Sequence, residues 1–112
     1  MLGAQTTGLI SMKPVRDAEY LKKVRNLPCV ICEAFGERQL SPTEAHHCFH
    51  GRYSRGKASD LAAIPLCNGH HTGLRDTSKL AVHKRKAEWA AKYGEDHEWI
   101  AVTRDEIERV FP

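Results

Sequence analysis

Two short pairs of residues carry the most definite chemistry in this sequence. Cys29-Val30-Ile31-Cys32 is a CxxC pair, and Cys67-Asn68-Gly69-His70 repeats its two-residue gap with an imidazole in the last place. A gap of two lets one tight turn aim both side chains at a single ion, and zinc accepts three thiolates and one imidazole in a tetrahedron. The 34 residues between the pairs make a long closed loop, so the ion would tie two distant segments together. A redox CxxC, or four buried side chains that happen to fall in pairs, is the competing explanation. Cys48 is the remaining thiol; it either packs as a small hydrophobe or replaces one of the four.

Seven histidines in 112 residues leave a second set once His70 is assigned. His46-His47 follows a turn and reads as part of a short strand, where adjacent side chains face opposite ways. The two rings therefore take different tasks. His71 directly follows His70, and the step of roughly 100° on a helix turns it away from the first ion. His83 falls on the apolar stripe of a predicted helix, where it is either a ligand or a hydrogen-bonded core residue. His50 is either structural or a phosphate contact.

These residues need elements to place them. Ala18, Leu21 and Val24 recur at helical spacing, and the helix must stop before Pro28. From Cys29 to Cys67 the pattern is short apolar pieces and turns, read as short strands and loops. A second helix is predicted over Lys79–Tyr93, closed by Gly94, with Leu80, His83, Ala87 and Ala90 on one face. Thr103 with Glu106 has the spacing of a capping box for a last helix. The layout is a small α+β domain over residues 13–112, preceded by a disordered leader at 1–12.

The chain has room for one small domain, and with aromatics at 7% its core is thin enough to need a metal or a partner. Charge is divided: residues 1–86 hold 14 basic and 7 acidic side chains, residues 87–112 hold 3 and 7. A basic body with an acidic tail suits a polyanionic ligand on one face. Arg52, Tyr53, Arg55 and Lys57 in a glycine-bounded loop, with Lys84, Arg85 and Lys86, are the candidate phosphate and base contacts. No apolar run approaches the ~18 residues of a membrane span, and no signal peptide is evident. The expectation is a cytoplasmic protein, bacterial or of a phage-infected cell, with reduced thiols.

Taken in order, Cys29-x-x-Cys32, Glu44-Ala45-His46-His47 and Ile64-Pro65-Leu66-Cys67-x-x-His70-His71 resemble the His-Asn-His (HNH) endonuclease motif on a zinc-stabilised treble-clef (ββα-metal) scaffold with flanking helices. With Tyr20–Arg25 and Gly56–Leu61 added, the chain is most similar to phage and prophage Ref-like recombination nucleases, over about Arg16 to Gly94. The resemblance implies a metal-dependent DNA endonuclease. Cys29, Cys32, Cys67 and His70 would hold structural zinc, and His46, His71 and His83 a catalytic divalent ion (Mg, Mn or Zn). His47 would be the general base. Asp60 takes the central position where the motif has Asn, and it could orient the base by accepting from its ring. DNA is the implied partner, together with a recombinase filament. The alternative is a treble-clef zinc module that binds nucleic acid or protein and cuts nothing.

Overall fold

The computed structural model describes residues 15–54 and 58–112; the predicted leader at 1–12, and Arg55 and Lys57, lie outside them. Helix α1 is Ala18–Arg25, opened by Asp17, whose carboxylate accepts from the Tyr20 N–H. It ends at Asn26, ahead of Pro28 as predicted. Helix α2 is Val30–Phe35. Here the sequence reading of strands and loops is corrected: the CxxC pair opens a helical turn, with Cys29 at its N-cap. Gly36 closes α2 in the left-handed region at φ 66°.

Strands β1, Thr43–His47, and β2, Ala63–Cys67, form an antiparallel two-stranded sheet, with Thr43 opposite Cys67 and His46 opposite Ile64. Every residue of β2 is buried. β1 is half-buried at its start and then alternates, His46 inside and His47 outside. The segment between them holds two short 3-10 turns, Gly51–Tyr53 and Asp60–Ala62.

Helix α3 is Lys86–Tyr93, shorter than the predicted Lys79–Tyr93. Residues 79–85 do not continue it, because the Val82 and His83 N–H groups donate to the carbonyls of His70 and His71 at 2.9 and 3.0 Å. Those cross-chain bonds replace the first helical turn. The buried face is therefore Trp89 and Tyr93, and His83 is exposed. Helix α4 is Ile100–Val110. Thr103 is a buried interior residue whose hydroxyl donates to the Trp99 carbonyl, so it does not cap the helix. The capping box belongs to Glu95 and Glu98, around the 3-10 turn Asp96–Trp99.

One core cluster joins Cys29, Ile31, Ile64, Leu66, Val82, Trp89 and Tyr93; a smaller one joins Val24 and Leu27 of the α1 region to Ile107 of α4. Among the described residues no helix is long and apolar enough to cross a membrane.

These contacts rank two substitutions. Trp89→Ala, at a fully buried site, should cost about 3–5 kcal/mol. Gly36→Ala meets no atom within 4 Å and should cost only the ~1–2 kcal/mol of a left-handed residue. Urea unfolding of both variants measures the difference, and equal losses would contradict the assigned core.

Candidate metal centres

Cys29, Cys32, Cys67 and His70 come together in the core, all buried. The His70 Nδ1 lies 3.5 Å from the Cys29 Sγ, 3.7 Å from the Cys32 Sγ and 3.5 Å from the Cys67 Sγ. The Cys32 and Cys67 sulfurs are 3.9 Å apart. With Zn–S near 2.3 Å and Zn–N near 2.0–2.1 Å, a tetrahedron has S–S edges of about 3.8 Å and S–N edges of about 3.5 Å. These four separations match that tetrahedron, all the donor atoms lie within 4.8 Å of one another, and this group could hold a structural metal such as zinc. The hydrogen bond from Cys29, with that from His70, draws the Cys67 thiol down, while burial pushes Cys32 up. The far nitrogen of His70 faces Glu37 Oε1 at 3.1 Å. Burial lifts the Glu37 carboxyl, but His70 and Lys79 outweigh it and hold it below its usual range. Cys48 stands apart, its thiol donating to the Ala62 carbonyl.

A second group is separate from the first. The ligand atoms of His46, His71 and His83 all lie within 4.8 Å of one another. β1 supplies His46. The turn after β2 supplies His71, and the backbone pairing of residues 82–83 with 70–71 brings in His83. The predicted rotation of His71 away from His70's centre is what joins it to His46, with ring centroids 5.1 Å apart.

Two of these rings are oriented from behind by carboxylates. Asp96, fully buried, accepts from His46 Nε2 at 2.8 Å and from the Phe49 and His50 N–H groups. Burial raises the Asp96 carboxyl, yet those three donors hold it down at about 2. His46 keeps its Nδ1 buried and without a partner among the described residues. A buried nitrogen left this way is costly unless a ligand meets it, and a metal ion fits the three-imidazole donor set around it. Burial, more than the neighbouring charges, lowers the His46 pKa to about 4. His71 Nδ1 donates to Glu44 Oε1 at 2.8 Å. This is the arrangement that fixes tautomer and direction in metal-binding histidines.

His47 lies outside both groups. Its Nε2 is 2.8 Å from Asp60 Oδ1, and its side chain is 41% exposed. Asp60 also accepts from the Asp17 N–H at 2.7 Å and from Arg16 at 2.9 Å. The Asp17 N–H first, then His47, hold its carboxyl below the ordinary range. The expected pairing of Asp60 with the His47 imidazole is therefore present in the geometry.

The basic candidates divide. Lys86 places its ammonium 4.9 Å from the centre of Phe49, a ring that packs edge-on against His46 and His83. Arg52 covers Tyr53 at 5.2 Å. Lys84 is spent on the Gly73 carbonyl, and Arg85 on Glu88. His50 is structural: Nδ1 accepts from the Asp96 N–H and Nε2 donates to the Lys86 carbonyl.

Sequence reasoning missed Glu37, Glu44 and Asp96. Glu44 sits two residues before His46, a same-face position on a strand, and could have been found. Asp96 is 50 residues from its imidazole, with no local signal.

A family model described as a protein of unknown function (DUF968) matches residues 12–107. No curated protein and no solved structure matches the chain.

Removing the first ion with a chelator, or Cys29→Ser, should unfold the domain, since structural zinc contributes on the order of 10 kcal/mol. An unchanged melting temperature in Cys29→Ser would refute the assignment. For Asp60, a folded pKa held below the ordinary 3.8 means stability present above that value and lost as pH falls through the lowered one. Asp60→Asn should therefore be less stable than the unsubstituted chain near neutral pH. Denaturant titrations at descending pH should show the gap closing below about pH 4.

Proposed function

The chain belongs to the DUF968 family, and on the site it carries we propose that it is a metal-dependent DNA endonuclease of the HNH type, built on a treble-clef ββα-metal scaffold. The observation that carries this reading is the presence of two groups of donors, a Cys3His group that suits structural zinc and a separate three-imidazole group, together with a half-exposed imidazole, His47, held by Asp60 on the opposite face of β1. A module that only binds has no use for the second group. The β1–β2 hairpin leading into the Cys67–His71 turn and then α3 supports the scaffold. The departure is that His71 and His83 precede α3 and do not lie on it.

A bound divalent ion (Mg, Mn or Zn) supplies charge neutralisation at the scissile phosphate and at the leaving oxygen. His46 Nδ1, His71 and His83 would hold it, with Asp96 and Glu44 keeping the first two rings in place. His47 is the base. Asp60 takes its Nε2–H, which leaves the Nδ1 lone pair to accept a proton from the attacking water. The ionised Asp60 then stabilises the imidazolium that results. Lys86 and the Arg52–Tyr53 pair are the backbone and base contacts. A recombinase filament is the partner drawn from the Ref-like resemblance.

Purified protein incubated with supercoiled plasmid and Mg²⁺, Mn²⁺ or Zn²⁺ should nick it. His47→Ala should slow nicking by about 10²–10⁴-fold while remaining folded. Full nicking by His47→Ala would remove it as the base. No nicking by the unsubstituted protein with any of the three metals, with or without a recombinase filament, would leave the zinc module that binds and does not cut.

A further inference from the structure

Behind His71, the Glu44 carboxylate has a second oxygen, and Arg75 Nη2 donates to it at 3.2 Å. This is the one hydrogen bond that the Arg75 side chain makes among the described residues, and the side chain is 76% exposed. A guanidinium has five N–H donors in a fixed fork, so most of the fork faces outward beside the three-imidazole group. An exposed ion pair contributes little stability. Glu44 does not depend on Arg75 either, because His71 and the Asn68 amide each donate to one of its oxygens.

The loop that presents Arg75 is fixed with unusual thoroughness. Asn68 Oδ1 accepts from the N–H groups of both Arg75 and Asp76, each at 2.9 Å. The Asn68 Nδ2 donates to Thr72 Oγ1 at 3.1 Å. The Gly73 N–H donates to the Asn68 carbonyl at 2.8 Å, and the Gly73 carbonyl accepts from Lys84 Nζ at 2.8 Å. Gly73 is at φ +65°, and a Cβ there would stand 2.9 Å from the Ala81 Cβ. Asn68 itself lies between the metal ligands Cys67 and His70. The loop is thus referenced to both centres.

We propose that Arg75 is a phosphate contact of the DNA substrate, gripping the backbone phosphate next to the one at the His46–His71–His83 group. Preorganisation of the loop lets the guanidinium meet a phosphate without ordering the chain at the moment of binding, and a fork matches phosphate oxygens in pairs. The proposal rests on the nuclease reading above and names a substrate-positioning residue that the charge pattern of the sequence did not single out.

The test is fluorescence anisotropy of a short labelled DNA duplex over a series of NaCl concentrations. It compares the unsubstituted protein, Arg75→Ala, Arg75→Lys and Arg109→Ala, which removes an exposed arginine of α4 paired with Glu106. Arg75→Ala should bind roughly tenfold more weakly, and its slope of log affinity against log salt should be shallower by about 0.9. Arg75→Lys should recover the slope, and Arg109→Ala should leave both quantities unchanged. Visible absorption of Co²⁺ bound to the histidine group reports whether that centre is intact in each variant. An unchanged slope in Arg75→Ala, or weaker binding that tracks a disturbed Co²⁺ spectrum, would overturn the proposal and leave the nuclease reading standing. Absence of DNA binding by the unsubstituted protein would overturn the nuclease reading itself.

Discussion

His70 and His71 are consecutive, and the turn that carries them sends their rings into different clusters. Their N–H groups both return to the Cys67 carbonyl, so this is a helical turn and successive side chains diverge. One ring completes a set of sulfur donors in the core. The other joins two imidazoles from β1 and from the segment before α3. Two centres a single residue apart in the chain share one rigid backbone, and whatever fixes the first fixes the position of the second.

That coupling explains the economy of the fold. The apolar core is small, centred on Ile31, Ile64, Leu66, Val82, Trp89 and Tyr93, and it surrounds the Cys3His group. A metal held there would close a loop of more than thirty residues and offset much of the chain entropy that so small a core leaves uncompensated. The helical turn after Cys29 also gives the first pair a firmer seat than a free loop would.

Carboxylates form the second layer of the design. Glu37 stands behind His70, Glu44 behind His71, Asp96 behind His46 and Asp60 behind His47. An imidazole with one nitrogen held has only one left to offer, and its tautomer and direction are settled together. The same device recurs behind a ring of the Cys3His group, two rings of the three-imidazole group and His47, with the difference made by what faces the remaining nitrogen. For His46 that nitrogen is buried and unmatched among the described residues; for His47 the side chain is open to solvent.

The sequence by itself determined the elements whose signals are local. The two-residue gaps marked the four donors of the first centre, strand alternation separated His46 from His47, and the step from His70 to His71 separated their tasks. Helix α1 and the short strand before Cys67 followed from local signals, whereas the pairing of Asp60 with an imidazole came from the resemblance to the HNH motif. Only the tertiary structure decided that Cys29 opens a helix, that residues 79–85 pair with 70–71 in place of a helical turn, and that His83 thereby faces His46 and His71. It alone brought Asp96 to His46 across fifty residues. Periodicity reports which face a residue would take if its neighbours kept regular backbone bonds. Where a distant carbonyl or carboxylate competes for those bonds, the outcome depends on packing that no window of sequence contains.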